Sequence, residues 1–419
     1  MVSARRLAAP VGLSMVSPAI VFAALFAAVA AWYPYQSVLL ASRGLEFGAI
    51  GLLLALNAVV ALVAAPAWGA VADRLGGINR LLLLASIVAA AGAAWLALAD
   101  GVPAIAGALA LMAVGTGGLI PLTDTRTVEL AGASRERYAG ARAFGSASFI
   151  VGAVVTGALI SGRSPDALFA LYVPLLLVTG LAAWRLLRRS PGEPARVNRR
   201  SRTGPFASGG FLPLLHRPGL LALLVGTTVV WTAVAAVTTF IGIRIADLGG
   251  DLAIVGLISS GSAVVEVPIM LAFPALARRF GAERLIVLGA AAFGLRAVLW
   301  GLAPTPIVAL LVSPLGGIGF AFFYVGMVTF VSRAVPAEVQ ATAQGVYTGM
   351  TFSLGSVVGT ALAGALAPVL GLPGLFLTAA VATFFGTLVV ARGVAVARPY
   401  TPEPASPAGR SQLLAAKAP

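Results

Sequence analysis

Twelve apolar runs of about 20 residues each follow one another along this chain, separated by short polar breaks. They fall at 15–41, 48–72, 81–99, 103–128, 141–161 and 167–187. After a longer polar stretch come 218–246, 252–276, 284–303, 305–333, 342–367 and 373–392. Each run is nearly free of charge. At a helical rise of about 1.5 Å per residue, each can cross a bilayer core of about 30 Å. No run alternates apolar and polar positions as a barrel strand does, which argues against an outer-membrane barrel. The pattern predicts an all-α membrane protein with 12 transmembrane helices, and the 49 Gly and 26 Pro are tolerated in such helices.

Composition sharpens this. Hydrophobic residues make up 59% of the 419 and charged residues only 10%, with a mean hydropathy of +0.99. Soluble domains carry about 25% charged residues, so a water-soluble enzyme is excluded. With no Cys and one His, neither a disulfide framework nor a Cys-based metal or thiol centre is available. There is no Asp-Asp-x-x-Asp run, no His cluster and no phosphate-binding Gly-x-x-x-x-Gly-Lys-Ser/Thr, so an intramembrane enzyme and an ATP-driven pump lack their residues. No metal and no cofactor is expected.

The formal charge of +14 would suggest nucleic acid in a soluble chain. Here the basic residues collect instead in alternate connections and both tails, including Arg5, Arg6, Arg74, Arg80, Arg135, Arg137, Arg278, Arg279, Arg333 and Lys417. The other side has only Arg43, Arg163 and Arg244. The positive-inside rule places both termini in the cytoplasm of a multi-pass protein, in a bacterial cytoplasmic membrane. The expected organisation is an N-terminal six-helix bundle (1–187), a cytoplasmic basic linker (188–217), a C-terminal six-helix bundle (218–392) and a disordered tail (393–419). The linker reads as a solvated, topology-fixing segment or as a contact for anionic lipid.

The halves repeat. Gly51 and Gly256 are separated by the same interval as Gly76 and Gly281, and Gly152 and Gly355 differ from it by two residues. Six helices duplicated in one orientation imply a parallel repeat about an axis normal to the membrane.

The first inner loop reads Gly69-Ala-Val-Ala-Asp73-Arg74-Leu-Gly76-Gly-Ile-Asn-Arg80. It resembles the Gly-x-x-x-Asp-Arg-x-Gly-x-x-Arg signature of the major facilitator superfamily. The resemblance implies a conformational latch of Gly69, Asp73, Arg74, Gly76 and Arg80, with Asp73 near a helix N-terminus and paired to an Arg. In the second copy Arg278 replaces the acid. Three segments further resemble the lactose permease and phenylpropionate permease branch: "WYPYQSVLLASRGLEFG", Asp124 followed by "ARAFG", and "FFYVGMVTFVSRAVPAEVQATAQGVYTG". Glu266 and Arg296 also fall where that branch carries an acid and an Arg. The branch's His and Glu of the tenth span are missing, where Tyr324, Thr329 and Ser332 stand instead.

Depth can be read without the family. Asp124 and Arg142 are equally far on either side of the turn near residue 133. Glu266 and Arg296 are equally far from the turn near residue 281, about 20 Å into the membrane. A charge at the bilayer centre costs at least about 2.5 kcal/mol, so each acid should face the interior and have a partner. Each couple reads as a structural ion pair or as working machinery. In the second case Glu266 and Asp124 are the proton-coupling acids, while Arg142 and Arg296 bind substrate. Tyr33, Asn57, Trp231, Gln344 and Tyr347 are further substrate-binding candidates, with packing or interfacial anchoring as the rival use. Glu129 lies nearer the surface.

These readings converge on a secondary transporter of a small polar or carboxylated solute (sugar, aromatic acid or nucleoside class). It would work by alternating access, with a proton as the coupling ion in symport. Proton-antiport efflux of sugars or drugs is the alternative, followed by a non-transporting sensor. The expected partners are a small-molecule substrate and membrane lipids, not nucleic acid, and the expected state is a monomer.

Overall fold

The computed structural model describes residues 15–132, 134–187, 218–336 and 339–397. The basic linker 188–217 and the tail from 398 lie outside the described residues, as do Arg5 and Arg6. Among those described, helices dominate and no strand occurs.

The first crossing joins α1 (Val16–Trp32) and α2 (Gln36–Ser42), broken around Pro34. Then follow α3 (Phe47–Leu75), α4 (Ile78–Leu98), α5 (Val102–Ala131), α6 (Arg135–Ile160) and α7 (Phe169–Leu186). The second half holds α8 (Pro218–Asp247), α9 (Leu252–Phe280) and α10 (Ala282–Gly301). Its fourth crossing joins α11 (Pro306–Val312) and α12 (Pro314–Ala334). Then come α13 (Gln340–Thr348), a π-helical turn (Gly349–Leu354) and α14 (Gly355–Val396).

The stretch from Ala343 to Val396 is continuous and apolar, yet far longer than one crossing needs. Gly371 divides it, with φ 65° and ψ 167° inside α14. That region of φ is open to glycine at little cost. Twelve crossings result. Helix α14 also runs four residues past the expected end of the bundle, to Val396, because Gly393 packs against the backbone of Leu223 and Gly219.

The repeat is visible in the packing. In the first half α1 packs on α6, α3 on α5, α4 on α5, and α4 on α7. In the second half α8 packs on α14, α9 on α12, α10 on α12, and α10 on the last part of α14. Six crossings return the chain to one side, so the ends at 187 and 218 share a face, called here the tail face. The opposite side is the far face.

The far-face arginines have structural work. Arg43 Nη1 donates to the carbonyls of Leu96 (2.7 Å) and Ala99 (3.4 Å), and Nη2 and Nε bond Asp166 Oδ1 at 2.5 and 3.1 Å. One side chain thus caps the C-terminus of α4 and ties it to the start of α7. In the second half Arg244 Nη2 repeats the motif on Ala303 at the end of α10 (3.1 Å). Arg43→Ala is expected to destabilise the first half by about 2 kcal/mol, mostly from uncapped carbonyls. Asp166 is half-exposed, and its share is small. A lowered unfolding temperature in detergent checks this; an unchanged one refutes it.

Candidate functional site

The halves touch at the far face. A Cβ built on Gly51 would lie 2.6 Å from Gly364 Cα and 2.8 Å from Thr360 O. One on Gly157 would lie 2.6 Å from Leu252 O, and one on Gly256 would overlap Ala153 O. Ser260 Oγ donates to Ile150 O (2.7 Å), and Ser161 Oγ to Asp251 Oδ2 (2.7 Å). Phe47 meets Phe240 edge to face at 5.6 Å. The Ser161 hydroxyl, then the Ile254 amide, hold the Asp251 carboxyl below its usual range. A lowered carboxyl pKa means these contacts are complete at neutrality and fade as pH falls through the lowered value.

Toward the tail face the same helices diverge. Gly69 on α3, Gly140 on α6, and Gly345 and Gly349 on α13 and the π turn have nothing within 4 Å of a built Cβ. Small residues thus close one end of the interface and open space separates the other. The structure is open to the tail face.

The latch residues lie on that open side. Asp73, Arg74, Gly76 and Arg80 are exposed, and among the described residues no ion pair involves Asp73. The expected N-terminal setting of Asp73 is corrected: it lies in the last turn of α3. Gly77 caps α4 instead, and Gly76 and Gly77 supply the left-handed turn (φ 63° and 66°) between them. An unpaired Asp73 fits a latch that is disengaged when the halves part at this face.

The intramembrane charges are rearranged relative to the hairpin reading. Neither Asp124–Arg142 nor Glu266–Arg296 forms an ion pair within 4 Å. Asp124 instead accepts from the Tyr138 hydroxyl at 2.9 Å. Arg142 lies over the Phe26 ring at 4.0 Å and the Phe22 ring at 5.3 Å. Its field acts on Asp124 in its own half and on Glu266 in the other. Glu266 is half-buried on α9, where Gly317 of α12 packs against its backbone.

Arg296 is buried, 5% exposed, and does not face lipid. Its guanidinium lies over Trp300 (4.5 Å) and Phe293 (5.2 Å), against Gly316. Its electrostatic neighbour is Tyr33, from the other half, which sits beside Thr238. Tyr33 is 54% exposed although surrounded by these groups, so its exposure is to the space between the halves.

Trp231 donates to Ser356 Oγ (3.0 Å) and meets Phe352 at 4.5 Å and Phe320 at 5.8 Å. Phe320 stacks on Tyr324 at 5.3 Å, and Tyr324 acts electrostatically on Tyr138 across the interface. The π turn carries Phe352 into this group, a frequent use of such turns at functional sites. Asn57 is half-buried with Oδ1 unpartnered.

Two candidates sit elsewhere. Gln344 Nε2 is bound to Val328 O (2.7 Å) and Ser332 Oγ (3.0 Å), which ties α13 to α12. Tyr347 is buried, its hydroxyl on Leu220 O. Each polar tip satisfies a neighbouring helix, which removes it from the solute-facing set. Glu129 pairs with Arg126 at 2.9 Å, lining a separate cavity of ≈ 380 Å³ with Asn79, Arg80 and Trp184.

Sequence reasoning missed Tyr138, Tyr324, Phe26 and Phe352. The first two carried a readable signal. Tyr138 precedes Arg142 by one helical turn, and Tyr324 follows Phe320 by one, so each shares a face with a site residue.

Comparison with known proteins agrees with this architecture. The MFS_1 like family matches residues 16–377. The chain is 28% identical over 367 residues to the maltose permease of Geobacillus stearothermophilus, covering 87% of this chain and 91% of that one. It is 23% identical over 311 residues to the uncharacterized transporter YwbF of Bacillus subtilis (strain 168), covering 73% and 75%. The nucleoside transporter NupG superposes with a TM-score of 0.80 at 17% identity, over 92% of this chain and 100% of that one.

Proposed function

Because the chain belongs to the MFS_1 like family and is a membrane transporter of the major facilitator type, we propose that it is a proton-coupled symporter of a small polar or carboxylated organic solute. The halves rock about a central site, and the structure is the state open to the cytoplasm. The tail face is cytoplasmic in this reading, since the basic connections lie there, and the membrane is the bacterial cytoplasmic one.

The observation that carries the proposal is the cluster that joins the halves. Arg142 acts on Asp124 and on Glu266, one acid from each half. Protonating Glu266, or placing a solute hydroxyl or carboxylate on Arg142, changes the charge balance across the interface itself. That makes proton and solute binding interdependent with the conformation of the two halves, as coupling requires. In this scheme Glu266 and Asp124 carry the proton. Arg142, Arg296, Tyr33, Asn57 and Trp231 contact solute. The maltose permease similarity supports sugars as one class to test.

The test is gradient-driven uptake by the purified protein in liposomes, across maltose, nucleosides and organic acids. Accumulation that needs an inward proton gradient and collapses with a protonophore is the expected result. Solute expelled against the same gradient, or accumulation indifferent to it, overturns the symport reading.

A further inference from the structure

Arg296 is set apart from the other buried cations. Among the described residues, Arg126 has Glu129, Arg43 has Asp166, and Arg244 caps a helix end. Arg142 shares the fields of two acids. Arg296, at 5% exposure, has no carboxylate within 4 Å, and its guanidinium makes no hydrogen bond, with Nε fully enclosed. The faces of Trp300 and Phe293 compensate such a charge only in part. A buried guanidinium with five donors and no acceptor lacks a partner that the fold does not supply.

Its position says where that partner comes from. The guanidinium is seated against Gly316, where any side chain would collide with it. Across the interface its neighbour is Tyr33, a half-exposed side chain of the other half. Moving that one phenol opens the guanidinium to the central space. On its flank Phe293 leads edge to face onto Trp231 (6.2 Å), and from there to Phe320, Phe352 and Tyr324. A single cation thus stands at one end of a wall of rings.

We infer that Arg296 is the anion-recognition residue of the solute site, and that the transported solute is a monocarboxylate with a ring that lies along the Trp231–Phe320–Phe352 wall. The inference rests on the transporter reading above and narrows its substrate class. A guanidinium fork matches a carboxylate in geometry and in unit charge, whereas a phosphate dianion would leave a charge over. The wall suits a flat or CH-faced ring.

Binding to the full-length protein in detergent tests this, using matched pairs that differ in charge alone: benzoate with benzamide, and glucuronate with glucose. At least one acid is expected to bind tenfold or more tightly than its neutral partner. Arg296→Gln should abolish that preference while leaving the neutral compound's Kd within about twofold, and Arg296→Lys should restore part of it by charge without the fork. Equal affinity within both pairs, or a preference that survives Arg296→Gln, overturns the inference. Gradient-driven uptake of a neutral sugar that Arg296→Gln leaves intact also overturns it, while sparing the transporter reading. Failure of the wild type to take up any solute down a proton gradient sinks that reading instead.

Discussion

Glu266→Gln is expected to abolish concentrative uptake while leaving energy-independent exchange of solute measurable. The substitution keeps the shape of the side chain and removes its ability to change charge. In the native protein Glu266 is half-buried, with Arg142 of the other half acting on it. A gradient of one pH unit stores about 1.4 kcal/mol per proton, enough to hold one solute at tenfold accumulation. With Gln at 266 that ratio should fall to about one. Exchange of labelled solute across equal concentrations needs no net proton movement, so it should persist. Asp124→Asn serves as the comparison, because Asp124 is already bound to Tyr138 and has a second use for its oxygen. Tenfold accumulation retained by Glu266→Gln would remove Glu266 from the coupling path. Loss of accumulation in Asp124→Asn alone would move that role to the first half.

The crossings and the parallel repeat are written in the sequence because both depend on spacing along one axis. Helix length follows from the apolar run, and the paired glycines Gly51 and Gly256 keep their interval because their helices occupy equivalent places. Depth is legible for the same reason, and Glu266 and Arg296 were placed in the membrane interior by counting from the turn. Rotation is not legible in that way. One residue turns a helix by about 100°, so two charges at one depth can face different neighbours. Asp124 turns to Tyr138, and Arg142 and Arg296 turn to the opposite half, because the interface forms between helices far apart in sequence. Polar residues near the tail face mislead for another reason. Gln344 and Tyr347 look available in the sequence, yet each is within reach of a neighbouring backbone carbonyl that must be satisfied in lipid. The break at Gly371 lies inside the gap expected between the last two crossings, although the helix itself continues through it.

Leucine at both Gly51 and Gly157 is expected to trap the transporter away from the far-face-closed state and to lower transport about 100-fold. Each glycine lets two helices approach so closely that a Cβ would stand 2.6 Å from the partner backbone, and backbone cannot retract as a side chain can. Overpacking of this kind costs about 1–3 kcal/mol per site. Two sites on opposite pairs of gating helices then approach the roughly 5.5 kcal/mol that turns a 99:1 equilibrium into its reverse. Gly69→Leu is the control, because a Cβ there meets nothing, and it should leave this state untouched. The chain has no native Cys, so a single Cys reports its surroundings without background. A Cys at Gly140 or Gly345, exposed in the open interface, should be alkylated more slowly in the double variant as the tail face closes. One at Ser161, which bonds Asp251 across the closed far face, should be alkylated faster. Acidification should move the Ser161 reporter of the otherwise native protein in the same direction, because protonating Asp251 removes the acceptor that this contact uses. If the double leucine variant transports at the native rate with unchanged labelling, the far face does not need to close for turnover. The glycine approach would then be packing rather than a gate.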